Sequence, residues 1–342
     1  MGRVFQDNLH TMLGWFLNPK SLGLEMDGDH AVQMVAQNIA LGYARLEMAE
    51  PVTQETRITI PALDVTDYQD KDSQYLSPVV ELGNYALEAL QSDVEAFLLH
   101  GSLATLDYAR GWSDFDTYII LTKETTLDSI ALVALRQKLL SAYPYLLAID
   151  PLQHHGFLCC SALDLDQYPG YYLPVEVLKL SKSFMDAKVL DIRTVDTSAQ
   201  EIRGFFNRIQ FYKQVTETGI LKHHAYQGEY LLSDYRNAGN GLYQFKYLLN
   251  NVAITPSYYF GALGEPTYKG EAIEKIKGYL SAVSLATLEK VSYVRSAWQA
   301  REVFPYPTNQ IPVWVQETIG KDYFRLVYEF MREVGYLLEN RK

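Results

Sequence analysis

The sequence predicts an α+β protein: a mixed β-sheet with flanking helices, followed by a C-terminal helical domain. Three observations carry that expectation. Residues 97 to 121 hold an apolar run, a Gly-Ser turn and a second apolar run, the pattern of two strands joined through a short helix. Strand-like and helix-like stretches alternate from about residue 78 to 180. From about Ser198 onward the apolar spacing is almost entirely helical.

Taken in order, residues 1 to 30 are mixed and give no clear element. Residues 31 to 49 have apolar side chains at helical spacing and stop before Pro51, so a helix is expected there. ETRITIPALDV is a short extended piece interrupted by Pro61, and the polar stretch 64 to 75 reads as a loop. Pro78 to Leu90 predicts an amphipathic helix with Pro in its first turn and Ser77 as its cap. It feeds the strand that ends at His100. Thr125 to Tyr143 predicts a helix, with Thr125 and Asp128 at a capping-box-like spacing. Tyr145 to Ile149 and HHGFLCCSALDL continue the apolar pattern. After HHGFLCCSALDL come the turn QYPGYY and LPVEVLKLS, the last two runs reading as paired strands around Pro169-Gly170. Helices are then expected over 198–217, 220–236, 240–252, 270–302 and 314–339, with loops at 237–241, 256–266 and 304–312.

Composition narrows the function classes. A chain of 342 residues has room for about two domains. Its 26 tyrosines and 48% apolar content mark a folded protein. The net charge of -11 makes a broad nucleic-acid surface unlikely, because phosphate backbones need a basic face. The only cysteines, Cys159 and Cys160, are adjacent and cannot build a disulfide framework, which suits a reduced, cytoplasmic compartment. The N-terminus, with an acid at Asp7 and no long apolar run, is not a signal peptide, and no stretch reads as a transmembrane helix.

The chemistry concentrates at residues 101 to 116. Asp114 and Asp116 sit two apart at the head of an apolar run, so on a strand they project from one face while Phe115 and Thr117 point the other way. Two neighbouring carboxylates repel, and a divalent cation between them removes that cost. Gly101 lets backbone approach a ligand with no Cβ in the way, and the Gly101 and Ser102 amides with the Ser102 hydroxyl suit phosphate oxygens. On its own, Gly-Ser is an ordinary strand-to-helix turn. Joined to the acids across the spacer 103–113, it resembles the signature of the DNA polymerase β-like nucleotidyltransferase superfamily: Gly-Ser, a spacer, then Asp-apolar-Asp. Ser113 before the first acid and Arg110 in the spacer are also similar to common choices in that family.

The resemblance implies a reaction and a set of parts. A nucleoside monophosphate would pass from a nucleoside triphosphate, ATP foremost, to an acceptor hydroxyl, with pyrophosphate leaving. Two Mg²⁺ ions (or Mn²⁺) would be held by three carboxylates. The third acid is expected on a later strand in an apolar setting, which makes Glu176 in LPVEVL the candidate, both as metal ligand and as general base, with Asp150 in reserve. His154-His155-Gly156 lies outside the family pattern. Its two rings would face opposite sides of a strand, and His155 is the one set against the site, as ligand, orienter or proton acceptor; the bland reading is a satisfied strand histidine. His223-His224 reads as helix surface, and Cys159 and Cys160 as core. Lys246 and Lys269 are candidates for the triphosphate tail, against the default of solvated lysines. The implied domains are an N-terminal extension over 1–75, a catalytic domain over 76–195 and a helical substrate-binding domain over 196–342. The acidic charge favours a small-molecule acceptor. A protein or tRNA acceptor, or a catalytically inactive nucleotide-binding module, are the alternatives. Oligomeric state stays open.

Overall fold

The computed structural model describes residues 2–18, 29–46, 52–150, 156–218, 220–224, 230–234, 242–301 and 311–340. The chain divides into two compact units. Unit 1 is Met1–Tyr108 with Ser113–Asp196, and unit 2 is Ala109–Trp112 with Thr197–Lys342. Residues 1–75, expected as an extension, thus belong to the same unit as the Gly-Ser turn.

Unit 1 opens with helices α1 (Gly2–Leu17) and α2 (Asp29–Ala44), strand β1 (Val52–Ile60) and helix α3 (Val65–Tyr85). α1 lies where the sequence gave no clear element. α3 replaces the expected loop. Asp64 caps it, its carboxylate accepting from Thr66 N at 3.0 Å and Thr66 Oγ1 at 2.6 Å. Tyr68, Tyr75, Leu76 and Val79 recur on one buried face. Ser77 therefore caps nothing, and Pro78 lies inside a helix that bends at Asp72 (φ -161°, ψ 63°). One π-helical turn, Ala86–Leu90, leads into β2 (Val94–Leu99).

After β2 come the single turn α4 (Gly101–Ala104) and strand β3 (Thr117–Leu121). The expected helix at 125–143 is two helices, α5 (Lys123–Leu127) and α6 (Ser129–Ile149). Asp128 caps the second by accepting from Ile130 N at 2.8 Å, rather than closing a box with Thr125. Tyr145–Ile149 is the end of α6. Then follow β4 (Leu158–Ser161), a 3₁₀ turn (Ala162–Gln167), β5 (Tyr168–Pro169), α7 (Val175–Leu178), β6 (Lys182–Ser183) and β7 (Lys188–Val195). The pairing expected around Pro169-Gly170 is not formed among the described residues: Tyr168–Pro169 pairs with β7 instead, and Val175–Leu178 of LPVEVL is the helix α7. Pro174 explains this: it has no N–H for a ladder, and its carbonyl instead accepts from Val177 N and Leu178 N at 2.9 and 3.1 Å.

The strands form two mixed sheets, β4-β3-β2-β6 and β1-β7-β5. β2 is antiparallel to β3 and β6, while β3 and β4 are parallel. Ser183 joins the sheets: its N–H donates to Pro61 O at 2.9 Å, and its carbonyl accepts from Leu63 N at 2.7 Å. Ala96, Leu98, Tyr118 and Ile120 alternate into one apolar cluster with Ile58, Ile60, Leu190 and Ile192. Phe97 on the opposite face meets Phe184 and Phe157, with ring centres 5.0 and 6.0 Å apart. β2 and β3 are therefore apolar on both faces, which is why they read as continuous hydrophobic runs. Cys159 and Cys160 are buried and free, as expected of core residues.

Asp164 is the most enclosed acid among the described residues of unit 1. Its carboxylate accepts from Gln6 Nε2 at 3.0 Å, Tyr43 Oη at 2.9 Å and Ser161 N at 2.9 Å, so it ties α1 and α2 to the strand end at Ser161. Burial pushes its carboxyl up to about 6, against the pull of those donors.

Unit 2 is built on α8 (Ser198–Thr218), α9 (Leu242–Ala262), α10 (Lys269–Ile276), α11 (Ala282–Arg301), α12 (Val313–Ile319) and α13 (Tyr323–Glu339). α13 packs on α8, α9 and α11. The helix expected over 220–236 is instead an antiparallel hairpin of β8 (Ile220–His224) and β9 (Tyr230–Asp234), so His223 and His224 lie on a strand. Pro256 sits inside α9 rather than in a loop, and its Thr255 hydroxyl donates back to Asn251 O at 2.8 Å. The short segment Ala109–Trp112 also belongs here. Buried Trp112 packs against Trp298 with ring centres 4.9 Å apart, and Arg110 N–H donates to Gln299 Oε1 at 3.1 Å. No helix among the described residues is long and apolar enough to cross a membrane.

Candidate functional site

The site is the edge where β2 gives way to α4 and β3 begins. The β2–β3 ladder ends at the pair Leu99–Thr117, and one further bond, His100 N–H to Asp116 O at 3.0 Å, holds the next rung. Beyond that rung β2 turns into α4, and β3 proper begins only at Thr117. The acids thus lie just before β3 and not on it, contrary to expectation. The alternation survives: Asp114 and Asp116 are half-buried, and Phe115 between them is fully buried against Phe184. Ser113 is buried beside them.

Gly101 and Asp116 meet directly. Gly101 has φ +70°, the left-handed region that favours glycine. A Cβ built on it would land on Asp116 Oδ2 and lie 3.3 Å from Asp116 Cγ. The glycine is therefore required twice, by its backbone angle and by the carboxylate seated on its Cα. Ser102 follows in the same turn, half-exposed. Gly101, Ser102, Ser113, Asp114 and Asp116 are the expected residues that unit 1 gathers at this edge.

The other candidates are carried by other elements. Glu176 was expected on a strand; it lies on α7, where its carboxylate accepts from Lys179 Nζ at 2.7 Å on the surface. Asp150 is buried at the C-terminal cap of α6. His155 lies outside the described residues. Arg110 belongs to the segment counted with unit 2, as do Lys246 and Lys269. Lys246 is 4% exposed on α9, so it is not a solvated lysine, and Lys269 opens α10 half-buried. Among the described residues, no three His, Cys, Asp or Glu side chains stand close enough to hold a metal ion.

One set of residues at this edge was not anticipated. Tyr68, Lys71, Asp72 and Tyr75 of α3 all reach the turn after Gly101-Ser102. Their signal was present as the cap Asp64-x-Thr66 and the seven-residue spacing of Tyr68 and Tyr75, hidden under a polar composition.

No protein-family model, curated protein or solved structure matches the chain.

Proposed function

We propose that this chain is a metal-dependent nucleotidyltransferase. It moves a nucleoside monophosphate from a triphosphate, ATP foremost, onto a hydroxyl of a small-molecule acceptor, releasing pyrophosphate. The observation that carries the reading is the Asp116 carboxylate seated on the bare Cα of Gly101. It brings the two halves of a sequence signature, eleven spacer residues apart, into atomic contact. The donor set suits Mg²⁺: Asp114 and Asp116 offer hard carboxylate oxygens and are reachable from solvent. These two residues would hold the cation, which when bound neutralises charge on the phosphates and on the attacking oxygen.

The chain's own residues do the rest. Gly101 admits the Asp116 carboxylate close to the backbone because it carries no Cβ. The Ser102 hydroxyl and the adjoining amides supply neutral donors that bind phosphate without adding charge. Fully buried Phe115 fixes the backbone between the acids, so both carboxylates keep one orientation as charge develops. The net charge of -11 favours a small or cationic acceptor over a polyanionic one.

The test is thermal melting of the full chain in MgCl₂ with ATP, GTP, CTP and UTP in turn. A ligand at 100 times its Kd adds about 2.7 kcal/mol to the folded state. A Mg²⁺-dependent rise with one triphosphate, lost in Asp114→Ala, supports the site and names the donor. No rise with any of the four rejects it. Incubation with α-labelled nucleotide then sorts the acceptor, since label found on protein or RNA would overturn the small-molecule assignment.

A further inference from the structure

α4 is one turn long, and its Leu103 carbonyl accepts from Leu106 N at 3.3 Å. Side chains of α3 add donors to the carbonyls of Leu103 and of Leu106, just past the turn. The Tyr68 hydroxyl donates to Leu103 O at 2.9 Å, and Lys71 Nζ donates to Leu106 O at 2.7 Å. Leu106 is the one non-glycine residue at positive φ (+56°) among the described residues. That conformation is costly for a leucine and persists only where its surroundings hold it. The surroundings here are specific. Lys71 sits on the strained residue's own carbonyl. The next residue, Asp72, is where α3 departs from helical geometry, and its Oδ2 accepts from Tyr108 Oη at 3.3 Å. Tyr75 stacks on the Tyr108 ring with centres 5.7 Å apart, and Lys71 Nζ lies 5.7 Å over the same ring. Two irregular backbone positions, the kink of α3 and the left-handed leucine, thus face each other through paired polar contacts.

We propose that this face of α3 is a clamp. Tyr68, Lys71, Asp72 and Tyr75 are positioning residues that set the shape of residues 101–106, and so hold the Gly-Ser turn ready for the triphosphate. The functional half of this statement rests on the nucleotidyltransferase reading. The structural half does not.

The experiment is amide hydrogen exchange on the full chain, comparing wild type with Lys71→Met and Tyr108→Phe. Tyr108→Phe leaves charge and ring in place, so it separates geometry from electrostatics. Each variant is expected to speed exchange of the 102–106 amides about three- to tenfold, with β2 and β3 unchanged. The MgATP concentration giving half the melting shift should rise by a similar factor in both, with the ligand-free melting temperature nearly constant. Unchanged exchange at 102–106 in both variants overturns the clamp. Faster exchange with unchanged MgATP half-saturation overturns its role in ligand binding. A wild type that shows no MgATP shift removes the nucleotidyltransferase reading, and the exchange result then decides the clamp by itself.

Discussion

Gly101→Ala is the sharpest perturbation of the site. The new methyl meets two separate obstacles. The backbone is at φ +70°, where an L-residue costs about 1–2 kcal/mol. The methyl also occupies the place of Asp116 Oδ2, so the carboxylate must move or the turn must open, at about 1–2 kcal/mol more. Together the variant should lose about 2–4 kcal/mol, measured by urea denaturation of the full chain. A double-mutant cycle separates the two obstacles. In an Asp116→Ala background the collision is gone and only the backbone cost remains, so the same glycine substitution should cost about 1–2 kcal/mol less. Asp116→Ala alone should leave the fold intact or slightly stabilised. Equal losses from Gly101→Ala in both backgrounds would refute the close approach of carboxylate and glycine, and with it the observation on which the proposed function stands.

Asp164→Asn tests the buried acid of unit 1. Its carboxyl is pushed up to about 6 by burial, so the folded state holds a proton more tightly than the unfolded chain. That contribution is full below about pH 4 and is lost as pH rises through 6. Wild-type stability, relative to the asparagine variant, should therefore fall by about 2 kcal/mol between pH 4 and 7. A rise would show that the three donors outweigh desolvation. Tyr43→Phe removes one of those donors from a buried carboxylate, and a chemical-denaturation loss of about 1–3 kcal/mol is expected. Glu176→Ala breaks only a surface pair with Lys179 and should change the unfolding free energy by less than about 0.5 kcal/mol. If labelled-nucleotide transfer, once detected, disappears in that variant, Glu176 acts in the site despite its place on α7.

What the sequence made legible was local. Gly-Ser, the spacer and the two acids could be read because their chemistry depends on a few residues at fixed spacing, and the two flanking strands because both their faces are apolar. The mixed α/β character and the helical second half followed from periodicity over long windows. The failures have particular causes. α3 was hidden because its buried face is largely tyrosine, so polar composition masked a helical spacing. Val175–Leu178 imitates a strand by alternation, but Pro174 removes the donor a ladder needs and starts a turn. β8 and β9 carry the same apolar residues a helix would, and cross-strand pairing decides between them. Lys246 looked solvated because nothing in its own neighbourhood announces burial, which is set by helices far along the chain. The third acid was sought by analogy with a strand that this fold builds as a helix.

The assignment of Ala109–Trp112 to the helical unit has a consequence for modularity. The chain passes between the units three times, at 108–109, 112–113 and 196–197, so no single cut separates them. A fragment ending at Asp196 would keep Trp112 but lose Trp298, baring an indole just ahead of Ser113 and the first aspartate. Exchange of the helical half for another, by engineering or by recombination, must therefore replace four residues inside the first unit as well.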